Sequence, residues 1–456
     1  MEILPVTEKK EPTFLMRWMA LLFISLAMFG NYYIYDSVSP LADLLKTQLG
    51  FSDSNIGLLN AIYSFPNIIM VLVGGFIIDR IGTRISVFIF TVLIMIGALV
   101  TAVQGDLLTM AIGRLIFGLG AESMIVAITT IVARWFKGKE LSFAFGLNLT
   151  VARLGSFLAL NSPSWGKELY SYWQSPLWIT VGAGIFAVVS IIIYYIIDAY
   201  ASKKYALPKE GHQDKIILRQ VLKFSKSFWF ITALCVTFYS AMFPFQTFAI
   251  KFFQEAHGTS REVGGNLSSM LTLAAMIFTP LFGLLADKIG KRSLMMMLGS
   301  LLIIPVYLIM AYKIDLASPF GITGAISINI DFFDIHSDIP IYLLIPMSMM
   351  GIAFSMIPAI MWPSVAIVVE ERRLGTAYGL MTMIQNIGLF GFNLLIGFAN
   401  DISHASAENP GGYNLGMWIF SILGFLGLLF SFLLRKSETG SGAHGLEKGL
   451  VKNSKI

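Results

Sequence analysis

The chain has 456 residues, of which 56% are hydrophobic and 13% charged, and its mean hydropathy is +0.74. A soluble domain carries about 25% charged residues, so a soluble enzyme is excluded. The net charge of +5 comes from basic residues set between apolar runs, which reads as membrane topology and not as a nucleic-acid footprint; the one cysteine, Cys235, excludes an internal disulfide and a metal cluster.

The N-terminal stretch Met1–Arg17 is polar and lacks a cleavage-site pattern, so the first apolar run is expected to remain as a span. Apolar runs of about 18–25 residues then recur, each long enough to cross a hydrocarbon core of about 30 Å. They predict helices near residues 17–45, 55–79, 85–104, 108–134, 141–163, 175–199, 227–255, 263–287, 292–312, 340–367, 375–400 and 413–435. The polar stretch Tyr200–Lys226 parts them six and six. It reads as a linker, either plainly solvated or partly an amphipathic helix on anionic headgroups. Lys313–Pro340 is a longer external loop, and Lys436–Ile456, rich in Gly, Ser and Lys, reads as a mobile tail. The predicted organisation is a bundle over 1–199, a linker over 200–226, a second bundle over 227–435 and the tail 436–456. The predicted fold is an all-α membrane protein, with twelve transmembrane helices in two pseudo-symmetric six-helix bundles.

With the N-terminus inside, about 25 of the 32 Lys and Arg fall in cytoplasmic segments. Lys46, Lys167, Arg261 and Lys313 fall outside, and Arg114, Arg153 and Lys251 lie within helices. This asymmetry places both termini in the cytoplasm.

The halves repeat each other. Gly75-x-x-x-Asp79-Arg80-x-Gly82-x-Arg84 recurs at identical spacing as Gly283-x-x-x-Asp287-Lys288-x-Gly290-x-Arg292. Ala121–Ala127 is echoed by Ala353–Ala359, and Leu141–Leu147 by Leu374–Leu380. Parallel repeats are a carrier signature, with the substrate site between the halves near the membrane midplane. In each copy of the long motif the first glycine would let a neighbouring helix come close. The charges read either as a network that holds an inner gate shut or as ordinary interfacial charges. The tail's Gly440-x-Gly442-x-x-Gly445 has no strand before it and is not read as a nucleotide site.

Charges inside a bilayer are expensive and mark function or a partner. Glu122 and Arg153 each lie about 12 residues from the cytoplasmic end of their helix, or about 18 Å deep. An opposite pair at one depth on adjacent helices suits a zwitterion: the carboxylate meets an ammonium group and the guanidinium a carboxylate. A self-neutralising ion pair is the plain alternative. Asp36, after Tyr32, Tyr33 and Tyr35, is a candidate proton site or ammonium contact. Arg114 is shallower, and reads as a structural or outer-gate charge. Lys251 is a candidate substrate or gate residue, or a snorkelling lysine. Pro66, Pro244, Pro358 and Pro363 break otherwise apolar helices. Tyr63, Asn67, Trp362, Gln385 and Asn386 stand at about mid-depth and are candidates to line a cavity from both halves.

The doubled loop motif resembles the signature of the major facilitator superfamily, and Arg114-x-x-x-Gly118-x-Gly120 resembles its helix 4 motif. Gly118–Ser123, Trp135–Leu141 and Ala152–Ser156 are similar to the major facilitator superfamily domain-containing protein 1 group. So are Tyr63–Asn67, Phe243–Phe245 with Lys251, Trp362-Pro363, Leu374–Gly379 and Ile384–Asn386. Animal members of that group export dipeptides from lysosomes, which implies peptide-contacting roles for Glu122 and Arg153. Helix 1 departs from the group's pattern at Tyr35-Asp36-Ser37, the loop Lys313–Pro340 is longer, and the termini carry no acidic dileucine signal.

The expected function is a cofactor-free secondary transporter that moves dipeptides or related zwitterions by alternating access, as a uniporter or with protons. A monomer in a prokaryotic plasma membrane is expected, with a lysosomal membrane as the alternative. A small organic anion such as a dicarboxylate is the second substrate class, favoured by Arg114, Arg153 and Lys251 and opposed by Glu122. A non-transporting receptor or scaffold is the remote alternative. Nothing in the chain has the context of an enzyme's nucleophile, metal set or phosphate loop.

Overall fold

The computed structural model describes residues 11–136, 140–205, 207, 224–330, 335–370 and 373–448. Twelve long helices carry the fold: α1 Phe14–Asp36, α2 Asp53–Ile81, α3 Thr83–Val103, α4 Leu107–Phe136, α5 Leu141–Leu160, α6 Ser175–Lys204, α7 Lys226–His257, α8 Arg261–Ile289, α9 Arg292–Ala311, α10 Ile341–Val368, α11 Leu374–Ile402 and α12 Asn414–Glu438. Among the described residues eleven helical spans are long and apolar enough to cross a membrane, and α2, bent part-way, brings the number to twelve.

Local chemistry sets the helix ends. Ser52 and Ser260 cap α2 and α8, accepting from Asn55 N at 3.2 Å and Val263 N at 3.3 Å. The second glycine of the repeated motif closes each of these helices. Gly82 has φ +84° and Gly290 φ +69°, a backbone that L-residues with a Cβ resist, and it turns the chain into α3 and α9.

Helix pairing repeats with a shift of six. In the first half α1 packs on α5 and α6, α2 on α4, and α3 on α4 and α6; α7–α12 pair in the same way. The most extensive contacts between the halves are two that are images of each other, α2 with α11 and α5 with α8. We call the end carrying Phe14 and Glu438 the terminal face and the opposite end the far face. The apolar core of the second half continues into Leu41, Leu45 and Leu59 of the first. The halves are thus fused at the far face.

Three features differ from the sequence reading. The first helix stops at Asp36, and within the apolar span Phe14–Leu49 the Ser39-Pro40-Leu41 3-10 turn leads into a short helix, Ala42–Leu49. The long loop expected to be external holds an antiparallel strand pair, β1 Ala325–Ile330 with β2 Ile335–Pro340, a small addition to the all-α expectation. The tail expected to be mobile from Lys436 is docked as far as Lys448. Glu438 accepts from Ser227 Oγ at 2.5 Å and His444 N at 2.9 Å, and Glu447 Oε1 accepts from Ser293 N at 3.0 Å. Most of the predicted linker, at 206 and 208–223, lies outside the described residues, as does the tail beyond Lys448.

Candidate substrate-binding site and gates

Glu122 sits in the middle of α4, held there by Gly118. A Cβ on Gly118 would collide with the Tyr63 carbonyl, so α2 and α4 can approach only at a glycine. That approach lets Tyr63 Oη donate to Glu122 Oε1 at 3.3 Å. Arg153, on α5, faces the same space. Its guanidinium carbon stands 5.9 Å from the Tyr32 ring centroid and 5.4 Å from that of Phe354, the latter in the other half. Asp36, at the end of α1, completes the set of charges. The central cavity these residues line has a volume of about 150 Å³, and Gln385 and Tyr239 close it from the second half. Among the described residues no ion pair joins Glu122 or Asp36 to Arg153. Two carboxylates and one guanidinium therefore share a chamber without a direct ion pair between them among the described residues. Asn31 also lines the chamber, and its Oδ1 has no hydrogen-bond partner among the described residues.

The structure thus brings Glu122, Arg153, Asp36, Tyr63 and Gln385 together. It places four other candidates elsewhere. Trp362 lies in an adjoining cavity, donating from Nε1 to Tyr239 Oη at 2.9 Å. Asn67 and Asn386 face each other across α2 and α11, Nδ2 to Oδ1, at 3.4 Å. Lys251 does not snorkel. Its side chain is fully buried at the far face, with Nζ 2.6 and 2.7 Å from the two Asp53 carboxylate oxygens and 3.5 Å from Glu255. The motif reading missed Asn31, Tyr32, Tyr35, Ser156, Tyr239 and Phe243 as lining residues. The stacked pair Tyr239 and Phe243, ring centroids 5.6 Å apart at i and i+4 on α7, carried the one usable signal, an aromatic stripe on one face.

At the far face Asp401 of α11 accepts from the backbone N–H groups of Asp53 and Ser54, both at 2.8 Å, which caps the first turn of α2 from the other half. A Cβ on Gly57 would collide with the Asn393 carbonyl, and one on Gly397 with that of Asp53, so this seam is tight enough to exclude solvent. The central cavity instead meets the adjoining one, of about 480 Å³, at Arg153 and Tyr239. That second space runs along α5 back to Gly146 and along α10 on to Pro363, toward the terminal face.

The gating candidates occupy that face. Arg84 Nε donates to Asp198 Oδ2 at 2.7 Å, and Trp135 Nε1 to Asp198 Oδ1 at 3.1 Å, all within the first half. In the second half Arg292 pairs with Asp287 of its own motif. Asp79, Arg80 and Lys288 are exposed. Gly75 is buried, whereas Gly283 has open space where a Cβ would stand, so the expected close helix approach is not made there. Arg114 is 1% exposed and ties α4 to α1 and α2, donating to the carbonyls of Ile34 and Leu59 at 3.2 Å. Its hydrogen-bond partners among the described residues are all in the first half.

The Major Facilitator Superfamily model matches residues 24–329 and 244–454, two overlapping stretches that together span both bundles. The chain belongs to the major facilitator superfamily. It is 32% identical to the lysosomal dipeptide transporter MFSD1 of Bos taurus over 398 residues, covering 84% of this chain and 80% of that protein. The Homo sapiens protein of the same name matches with the same figures. Similarity to the hexuronate transporter of Escherichia coli (strain K12) is 26% over 180 residues, 40% of this chain and 41% of that protein. The nucleoside transporter NupG superimposes with a TM-score of 0.69 at 13% identity, over 91% of this chain and 99% of NupG. A bacterial homologue of the human lysosomal transporter Spinster, inward-facing and unoccupied, gives 0.69 at 15% identity, over 93% and 98%. At such identities these two establish the fold alone. This superfamily member is a multi-pass secondary transporter of a small molecule, not an enzyme, and stands close to the MFSD1 group.

Proposed function

We propose that this transporter carries dipeptides or related small zwitterions by alternating access, and that Glu122, Asp36 and Arg153 hold the two ends of the ligand. The observation that carries the reading is that Glu122 and Arg153 line one chamber without pairing with each other. A dipeptide supplies the missing partner to both: its ammonium group for the carboxylates, its carboxylate for the guanidinium fork. The name of the MFSD1 relatives supports the same class. The organic-anion reading is weakened by geometry, because Arg114 is turned to backbone carbonyls and Lys251 to Asp53, while two carboxylates face the cavity.

In this reading the terminal face is cytoplasmic, the far face is closed, and the motif charges at Asp79, Arg80, Arg84, Asp287, Lys288 and Arg292 regroup when the cycle shuts the inner side. Asp36 and Glu122 are the groups that would carry a proton if transport is coupled. The protein works as a monomer, in a plasma membrane or, like its named relatives, a lysosomal one.

The test is uptake of labelled dipeptide into proteoliposomes, with and without a pH gradient. Saturable uptake is expected, and the double variant Glu122→Gln with Arg153→Gln is expected to abolish it. Undiminished flux through that variant would remove the site assignment.

A further inference from the structure

The central cavity, at about 150 Å³, is smaller than the ~300–1,000 Å³ of typical ligand pockets, whereas the adjoining cavity, at about 480 Å³, lies within that range. Arg153 is the one charged residue among those lining the second cavity, and it lies at the junction of the two. The remaining wall is mostly apolar or aromatic, with Met276, Phe354, Pro358 and Trp362 as its large members and the uncharged Thr150 and Thr279 as its small polar ones. Trp362 is held in place there. Its indole donates to Tyr239 Oη at 2.9 Å, its carbonyl accepts from Tyr378 Oη at 3.1 Å, and its ring stacks on Tyr378 at 6.0 Å.

We propose that this second cavity is the pocket for the C-terminal side chain of the bound peptide, selecting large apolar or aromatic residues there and rejecting basic ones. The proposal rests on the dipeptide reading above. Geometry assigns the end of the ligand. A carboxylate on Arg153 leaves the adjacent Cα at the mouth of the second cavity, whereas the ammonium end is drawn to Glu122 and Asp36 on the other side. A large apolar side chain entering the second cavity exchanges water for Met276, Phe354 and the Trp362 ring. A lysine or arginine side chain would meet no carboxylate there and would be repelled by Arg153. A space that served only as the opening toward the terminal face would make no such distinction.

The experiment is competition against uptake of labelled Ala-Ala by the full chain in proteoliposomes. Ala-Phe is expected to compete about tenfold or more better than Ala-Ala, Phe-Ala to fall short of Ala-Phe, and Ala-Lys to do no better than Ala-Ala. Met276→Glu, which puts an acid into the pocket, is expected to reverse the order of Ala-Phe and Ala-Lys. Should that variant fail to fold, the wild-type series decides alone. Equal competition by all four peptides, or Ala-Lys as the best competitor, overturns the pocket while leaving a peptide carrier. Absence of any dipeptide uptake overturns the carrier reading and this proposal with it.

Discussion

The two seams that join the halves at the far face are images of each other in the repeat, yet their chemistry differs. Where α2 meets α11 at the far face, below the neutral Asn67–Asn386 contact, charge holds the seam. Asp401 caps α2 through two N–H groups at 2.8 Å, and beside it Lys251 of the neighbouring α7 is buried between Asp53 of α2 and Glu255. Where α5 meets α8, the buried contacts are neutral. Asn161 and Asn266 bond side chain to side chain, Ser164 Oγ donates to Asn266 Oδ1 at 3.1 Å, and Asn266 Nδ2 reaches Ser337 Oγ at 2.8 Å. Charge lies beside that second seam, where Lys167 meets Glu262 at 3.4 Å and Arg261 pairs with Asp43. The difference matters for a carrier. A buried ion pair is stable only while both partners stay together, since a lone buried charge costs about 3–5 kcal/mol. Neutral hydrogen bonds contribute about 1 kcal/mol each and tolerate rearrangement. The α2–α11 seam therefore behaves as a latch, and the α5–α8 seam as a surface on which the halves can rock.

The strongest way to break this comparison is to strand the latch. Lys251→Ala leaves the Asp53 carboxylate buried without its ammonium partner in the closed form, whereas in an open form water would solvate it. The equilibrium is expected to move toward far-face opening by about a hundredfold or more. An Asn393→Cys reporter in the α2–α11 seam would read this as faster alkylation from the far side, since the native Cys235 is buried. Replacing both charges, Asp53→Asn with Lys251→Met, should restore most of the protection. If the single and double variants label alike, the pair is not a latch. A smaller effect is expected from Asp401→Ala, which removes two charge-assisted caps from a helix N-terminus but strands no charge. About a tenfold gain in labelling of the same reporter follows from about 1–2 kcal/mol.

Sequence alone made one seam half-legible and the other invisible, for physical reasons. Lys251 stood out because a charge within an apolar run needs explaining. Its partner did not, because Asp53 lies 198 residues away across the pseudo-twofold and reads as an ordinary first-turn acid. Depth counting placed Glu122 and Arg153 in one layer because a helix rises uniformly, and the repeat fixed the architecture because a duplicated bundle leaves a duplicated loop. Neutral lining groups such as Asn31, Ser156 and Tyr239 carry no such signature. A polar uncharged side chain in a transmembrane helix is as often a packing residue, and only the rotation of its helix decides. The docked tail was hidden for a related reason. Its Gly- and Ser-rich composition says nothing about the carboxylates of Glu438 and Glu447, which find N–H groups at the starts of other segments.

The neutral seam offers the gentler tests. Asn161→Ala removes a buried amide that donates to Asn266 and to Ser269 Oγ, the latter at 3.4 Å, and about fivefold faster labelling of a reporter on that side is expected. An effect as large as that of Lys251→Ala would erase the distinction between latch and rocking surface.

The smallest effect belongs to the more exposed of the charged pairs on that side, Lys167 with Glu262. Lys167 is 77% exposed in its side chain and Glu262 18%, so water already screens them. Exposed pairs contribute about 0–1 kcal/mol, and at 0.15 M salt charges are screened over about 8 Å. Lys167→Ala should therefore change reporter labelling by about twofold or less, and raising the salt to about 1 M should remove even that. The same rise in salt should leave the protection given by Lys251 and Asp53 intact, because no counterion reaches a side chain with no exposed surface. Salt thus separates the two kinds of charge without any mutation at the latch. If high salt opened the wild-type far face as Lys251→Ala does, the ionic seam would be a solvated rim contact and not a buried lock.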